Sequence, residues 1–192
     1  MGIKVAIQGI QGSFHHQVAH RYFGEAIGLD ECVTFRDVAY SLKNNQSDKA
    51  IMAIENSIAG AILPNYSLID SYDLHIIGEH FLDIHMNLMV LPGQTIEDIK
   101  EVHSHPIALL QCANFFSQYP HIKLVESSDT AITAKRIQEN QLRGIGALAG
   151  PVASEIYNLE IIADGIHTVK SNKTRFVVLK ASNKEIAKEL IN

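Results

Sequence analysis

Asn172, Thr174 and Arg175 set an amide, a hydroxyl and a guanidinium within four consecutive positions. All three side chains donate hydrogen bonds, so together they suit a polar ligand. They stand at the mouth of Phe176-Val177-Val178-Leu179, an apolar β-branched run that reads as a buried strand. Side chains alternate along an extended segment, so Asn172 and Thr174 face one way and Lys173 and Arg175 the other. A second set, Glu55-Asn56-Ser57, directly follows the apolar run 50–54. An acid, an amide and a hydroxyl there cost desolvation unless they have partners. They either cap the next element or serve a ligand.

Other candidates are weaker. The turn Gly9-Ile10-Gln11-Gly12 lacks the G-x-G-x-x-G spacing of a dinucleotide site, and no phosphate loop of the G-x-x-x-x-G-K-[ST] form occurs. It reads either as a plain tight turn or as one with some affinity for an anion. His16 and His20 are four apart, and His103 and His105 two apart. Zinc needs three or four ligands with support behind them, and no H-E-x-x-H or cysteine pair is present, so no metal and no cofactor is expected. Cys112 sits two turns into a helix, away from the helix start that would activate a thiol. Ser57 lacks a G-x-S-x-G setting, which argues against a hydrolase triad.

These groups need elements to position them. The run 3–7 reads as a strand, broken by the glycine turn. Phe14–Phe23 then reads as a helix capped by Ser13. Strands follow at 33–35 and 50–54, with helices at 37–44 and 65–71. The segment 74–90 alternates over an unusual length and reads as one or two long strands passing from one lobe to another. A second lobe alternates strands at 99–103, 122–125 and 145–148 with helices at 106–119, 129–140 and 151–157. Ser128 is the expected cap of the middle helix. A strand at 159–163 is placed on the way back to the first lobe, Asn172 to Leu179 supply the last strand, and 181–192 is a polar helical tail.

The expected fold is α/β: two βα lobes with a shared cleft. The first lobe is 1–78 plus 165–181, the second is 79–164, and 182–192 is a linker or tail. In such folds ligands meet strand C-terminal ends and helix N-termini. The polar clusters at 8–13, 55–57, 104–105, 128–130 and 172–175 fall at those places, with Ser and Thr caps suited to an anion.

Composition narrows the partners. Hydrophobic residues make up 46% of the 192-residue chain and charged residues 19%, enough for a sizeable core and against disorder. A net charge of −5, without Lys/Arg runs, disfavours nucleic acid. No apolar run approaches the roughly 18 residues that span a bilayer, so no membrane partner is expected. The start Met1-Gly2-Ile3-Lys4-Val5 lacks a signal-peptide core. The expected location is cytoplasmic, with Cys32 and Cys112 as reduced thiols.

Six segments in order resemble one family, prephenate dehydratase. They are Gly9-x-x-Gly12-Ser13-Phe14, Ile54-Glu55-Asn56-Ser57-x-x-Gly60, Ser104-His105-Pro106-x-Ala108-x-x-Gln111-Cys112, Ser128-Asp129-Thr130-Ala131, Ala153-x-x-x-Tyr157-x-Leu159 and Asn172-x-Thr174-Arg175-Phe176. They cover nearly the whole chain. The resemblance implies decarboxylating dehydration of prephenate to phenylpyruvate on the route to phenylalanine, without a cofactor. It implies a fold similar to a type 2 periplasmic binding protein. It implies catalytic roles for Thr174, Asn56, Gln111 and Glu55. Substrate binding falls to Arg175, Ser57, Ser13, Ser104, His105, Thr130 and Asn172.

This sequence departs from the family pattern where proline is common, at Ile10 and Ala53, and at Ser13 and His15, where threonine and serine are usual. Many members continue into an ACT domain that binds phenylalanine; the chain is expected either to be cut at that linker or to lack this feedback control, so phenylalanine is a partner only if such a domain is present. A homo-oligomer, dimer or tetramer, is expected. Arogenate dehydratase and a non-catalytic binder of a small dianion are the alternative functions.

Overall fold

The structure is a computed structural model that describes residues 2–182. In chain order the first elements are β1 (Lys4–Gln8), α1 (Phe14–Phe23), β2 (Gly28–Cys32), α2 (Phe35–Lys43), β3 (Lys49–Asn56), β4 (Gly60–Ala61), α3 (Leu63–Ser71) and β5 (Leu74–Asp83). Then come β6 (Asn87–Val90), β7 (Glu101–Ser104), α4 (Pro106–Gln111), α5 (Ala113–Phe116), β8 (Lys123–Glu126) and α6 (Thr130–Asn140). The last are β9 (Ile145–Ala149), α7 (Pro151–Ile156), β10 (Glu160–Ala163) and β11 (Lys173–Ala181).

The described chain divides into two compact units. One holds residues 2–8, 18–82 and 174–182; the other holds 9–17 and 83–173. The divisions fall after Leu82 and Lys173, later than the expected 78 and 164, and 9–17 goes with the second unit. The reasons are local. β5 runs unbroken through Gly78 to Asp83. The segment 165–172 is tied within the second unit, where Ile166 donates to the Met86 carbonyl and Gly165 to the Asn87 side chain.

The first unit is built on a sheet of order β2-β1-β3-β11-β5, with β4 paired to β3. β1 is parallel to β2 and β3, and β11 is antiparallel to β3. Val5, Ala6 and Ile7 and the run 50–54 are buried, as expected of central strands covered on both faces. Val38, Ala39 and Leu42 of α2 pack against Ala6, Ala50, Met52, Val177 and Leu179. The strand expected at 33–35 is absent. Thr34 instead caps α2, its hydroxyl accepting from the Asp37 backbone while the Asp37 carboxylate accepts from the Thr34 backbone. That reciprocal box starts the helix at Phe35 and moves the strand upstream to Gly28–Cys32.

The second unit has the sheet order β10-β6-β9-β7-β8. β7 is parallel to β8 and β9, and β6 is antiparallel to β9 and β10. Met89, Ala134, Ile137, Ala147, Ala149, Ala153 and Leu159 form its core with Leu91. β10 does not return to the first unit; Glu160 and Ile161 pair with Val90 and Met89. The helix expected over 106–119 is two short helices, α4 and α5, broken at Cys112. The expected polar tail, beyond Ser182, lies outside the described residues.

Candidate functional site

The polar residues gather in two clusters, one in each unit. In the first, β3 and β11 lie antiparallel, with Thr174 opposite Asn56 and Arg175 opposite Glu55. One residue further the ladder slips, and Phe176 stands opposite Ala53. The slip inserts one extra residue on β3. Without it Thr174 would stand opposite Glu55, so this bulge sets an amide beside the hydroxyl instead of an acid.

Asn56 is held in a single orientation. Its Oδ1 accepts from the backbone N–H of Ile58 and of Ala59, both at 3.0 Å. Its Nδ2 therefore points across the ladder and donates to Thr174 Oγ1 at 3.0 Å. A flipped amide would lose both backbone bonds, so the network fixes the assignment. The Thr174 side chain is buried, and among the described residues no acceptor takes its hydroxyl proton.

Opposite residues of a ladder share a face and successive residues alternate. Glu55 and Arg175 therefore lie on the other face of the sheet from Asn56 and Thr174. There Arg175 Nε and Nη2 meet Glu79 Oε2 at 2.9 and 2.7 Å, and Nη1 lies 3.8 Å from Glu55. Its guanidinium also sits over the Phe81 ring, 5.9 Å from the centroid. The hydrogen bond it donates to Glu79 and that residue's charge raise the Arg175 pKa above its ordinary value. Ser57 is exposed in the turn after β3. The structure thus brings Thr174 and Asn56 together and sets Arg175 against Glu79, with Glu55 at the edge of that pair.

In the second unit Gln111 ends α4. Its Oε1 accepts from Asn172 Nδ2 at 3.0 Å, and its backbone carbonyl accepts from Thr168. Asn172 is fully buried and its own carbonyl accepts from Ile84. Ser13 caps α1, its hydroxyl accepting from the His16 backbone at 3.2 Å. Ser104, fully buried, donates to the Leu148 carbonyl at 2.6 Å and so ties β7 to β9. His105 caps α4 through Nδ1, which accepts from Ile107. Thr130 is the buried first residue of α6.

Two expectations about anion-binding backbone change here. The Gly12 N–H donates to His16 Nδ1 at 3.2 Å, so one N–H of the glycine turn is already used. Tyr157 further ties this turn, donating to the Gln11 carbonyl at 2.6 Å. The cap of α6 is Asp129, not Ser128, and its Oδ1 accepts from Ala131 and Ile132. Burial pushes the Asp129 carboxyl above its ordinary range, against the opposing backbone hydrogen bonds. Sequence reasoning passed over this side chain because Ser128 and Asp129 are both good caps and only backbone angles separate them.

The histidines noted for their spacing have local partners. His20 pairs with Glu25, and His103 lies between Glu101 and Arg136. Among the described residues no group of three His, Cys, Asp or Glu side chains is placed to hold a metal ion. Burial pushes the Cys112 thiol up to about 12 and Cys32 up to about 11, which leaves both unreactive. No described helix is long and apolar enough to cross a membrane.

The sequence model of one family, prephenate dehydratase, matches residues 5–184. The chain belongs to the prephenate dehydratase family. It is 34% identical over 186 residues to the bifunctional chorismate mutase/prephenate dehydratase of Buchnera aphidicola subsp. Acyrthosiphon pisum, covering 95% of this chain and 48% of that protein. It is 38% identical over 181 residues to arogenate dehydratase 1 of Petunia hybrida, covering 92% and 42%. The chain thus spans about half the length of the curated relatives it matches. The solved prephenate dehydratase of Arthrobacter aurescens, in complex with L-Phe, superposes with a TM-score of 0.84 at 24% identity, covering 94% of this chain and 61% of that one. That likeness concerns the fold. The α/β class expected from the sequence is the class found, with one sheet in each unit and a fold shared with solved prephenate dehydratases.

Proposed function

We propose that this chain catalyses the decarboxylating dehydration of prephenate to phenylpyruvate in phenylalanine biosynthesis. The observation that carries the reading is the Asn56–Thr174 pair, a hydroxyl that accepts an amide hydrogen bond and keeps its own proton unassigned among the described residues. In the reaction the bond from the ring to its carboxylate breaks and releases carbon dioxide. The electron pair enters the ring, the ring hydroxyl departs with its own pair, and one proton converts it to water. Aromatisation drives the step downhill.

Thr174 donates to the departing oxygen. Its hydroxyl is a poor acid by itself, so it works through position and polarisation. The amide N–H of Asn56 supports this by stabilising negative charge on Oγ1 as the proton is drawn away. Gln111, Asn172, Ser13, Ser104, His105, Thr130 and Ser57 are assigned to the substrate's carboxylates and ring. Arg175 binds a carboxylate only by leaving Glu79. In its present pairing it and Glu55 pin β11 to β3 from the opposite face.

Arogenate, which carries an amino group in place of the keto oxygen, is the second substrate of the same chemistry. The likeness to arogenate dehydratase 1 favours keeping it in view. The reading includes a cytoplasmic location and a homo-oligomer. The buried free thiols Cys32 and Cys112 support the first. Support for the second comes from β5, a ten-residue strand at the end of the sheet order with Ile76, Ile77 and Phe81 exposed.

The test is phenylpyruvate formation from prephenate. Wild type is expected to be active and Thr174→Ala to lose about 10²–10⁴-fold in kcat, the usual worth of a positioned acid. A wild type that binds prephenate without converting it overturns the enzymatic reading. Near-full activity in Thr174→Ala overturns the role given to Thr174.

A further inference from the structure

Asp129 carries a charge that its capping role does not need. Asn, Ser and Asp cap helices about equally well. Here Oδ1 caps the helix, accepting from Ala131 at 2.7 Å and Ile132 at 3.3 Å. The backbone carbonyl accepts from Ser127 Oγ. The Thr130 backbone N–H also reaches the carboxylate, and among the described residues no Lys or Arg pairs with it. The His105 imidazole lies near it.

Oδ2 lies against the glycine turn. Gly9 has φ +92°, and a Cβ built there would stand 2.8 Å from Asp129 Oδ2 and 3.3 Å from Ser13 Cβ. A glycine at this point leaves Oδ2 uncovered. Desolvation, the largest influence on this carboxyl, makes the ionised form costly at this place. An asparagine would keep both capping bonds without that cost. The charge therefore calls for a use other than holding α6.

The two substrates of the proposed reaction differ by one group close to a carboxylate. Prephenate has a neutral keto oxygen there and arogenate an ammonium. The loci around Asp129, namely Ser13, His105 and Thr130, belong to the segments that match the family, within the same unit. We propose that the Asp129 carboxylate beside the glycine turn is the specificity-determining group that favours the ammonium of arogenate over the keto form. This rests on the dehydratase reading above. An ionised oxygen attracts the ammonium and repels a dianion, while a neutral cap does neither.

The experiment compares kcat/KM for prephenate and for arogenate in wild type, Asp129→Asn and Asp129→Ser. Both variants keep a capping oxygen and remove the charge. The expected result is a rise of about tenfold or more in the prephenate-to-arogenate ratio, the usual worth of a hydrogen bond to a charged group. Most of it should come from a higher KM for arogenate, with kcat on prephenate kept. A structural role alone would move both substrates together. A ratio within twofold of wild type in both variants overturns the proposal while leaving the dehydratase reading standing. A wild type that converts neither substrate overturns both.

Discussion

At the scale of the residue, the site depends on which atom of Asn56 faces Thr174. Asn56→Asp replaces the Nδ2 donor by an acceptor while keeping the shape. Thr174 would then donate its proton to the new carboxylate and have none to give a leaving oxygen. The expected outcome is a fall in kcat of roughly a hundredfold, with the KM for prephenate changed much less. Steady-state kinetics on prephenate check this. Equal losses in kcat and KM, or none, would sink the assignment. The residue types behind this pair were legible in the sequence, because an amide and a hydroxyl at strand ends are visible as letters. Their faces were legible only in part. Alternation correctly set Arg175 apart from Thr174, but nothing in the letters tied it to Glu79, 96 positions away. Glu55 adjoins Asn56 in sequence and yet lies on the opposite face of the sheet.

At the scale of the element, the bulge in β3 decides which residue meets Thr174. Asn65 of α3 supports it from below. Its buried side chain donates to the Ala53 carbonyl at 2.7 Å, at the residue where the ladder slips. Asn65→Ala removes that bond and leaves a small void. We expect a loss of about 1–3 kcal/mol in unfolding free energy, measured by urea denaturation, together with reduced kcat as the register loosens. An unchanged midpoint would show that the slip does not lean on Asn65. Bulges of this kind were not legible, because an extra residue in a ladder has no signature until its partner strand is known. Buried strands and most helices were legible from apolar periodicity. The cap of α2 was missed because Val33-Thr34-Phe35 has strand-like composition, and the reciprocal Thr34–Asp37 box outweighed it. The break at Cys112 had no sequence signal, since neither glycine nor proline stands there.

At the scale of the whole molecule, the buried His15 and His167 and the half-buried His80 make the fold sensitive to acid. Burial lowers the pKa of His15 to about 3. Burial, with Arg21 nearby, also lowers that of His80. His167 is lowered by burial and by Lys170 and His85, against Asp164. It stays neutral for a local reason too, because Nδ1 accepts the Met86 N–H at 3.3 Å and a proton there would break that bond. For each of these bases the unfolded chain binds more protons than the folded one once pH falls below the ordinary value of 6.5. Stability therefore rises with pH in that window and is lost on acidification. His15 alone accounts for about 2 kcal/mol between pH 7 and pH 5. Asp30, Asp73, Asp98 and Glu101 have lowered pKa values, so their contribution is lost only further down, below the ordinary carboxylate range. Asp129, raised by burial, works in the other direction, but it is a single group. The urea midpoint is expected to drop clearly from about pH 7 to about pH 5, before the carboxylates titrate. His15→Gln should flatten that slope, since glutamine fills much of the space and cannot take the proton. A variant that keeps the wild-type slope would place the acid sensitivity in His80 and His167 instead, and a midpoint that does not move at all would mean that the buried rings reach water before they are protonated.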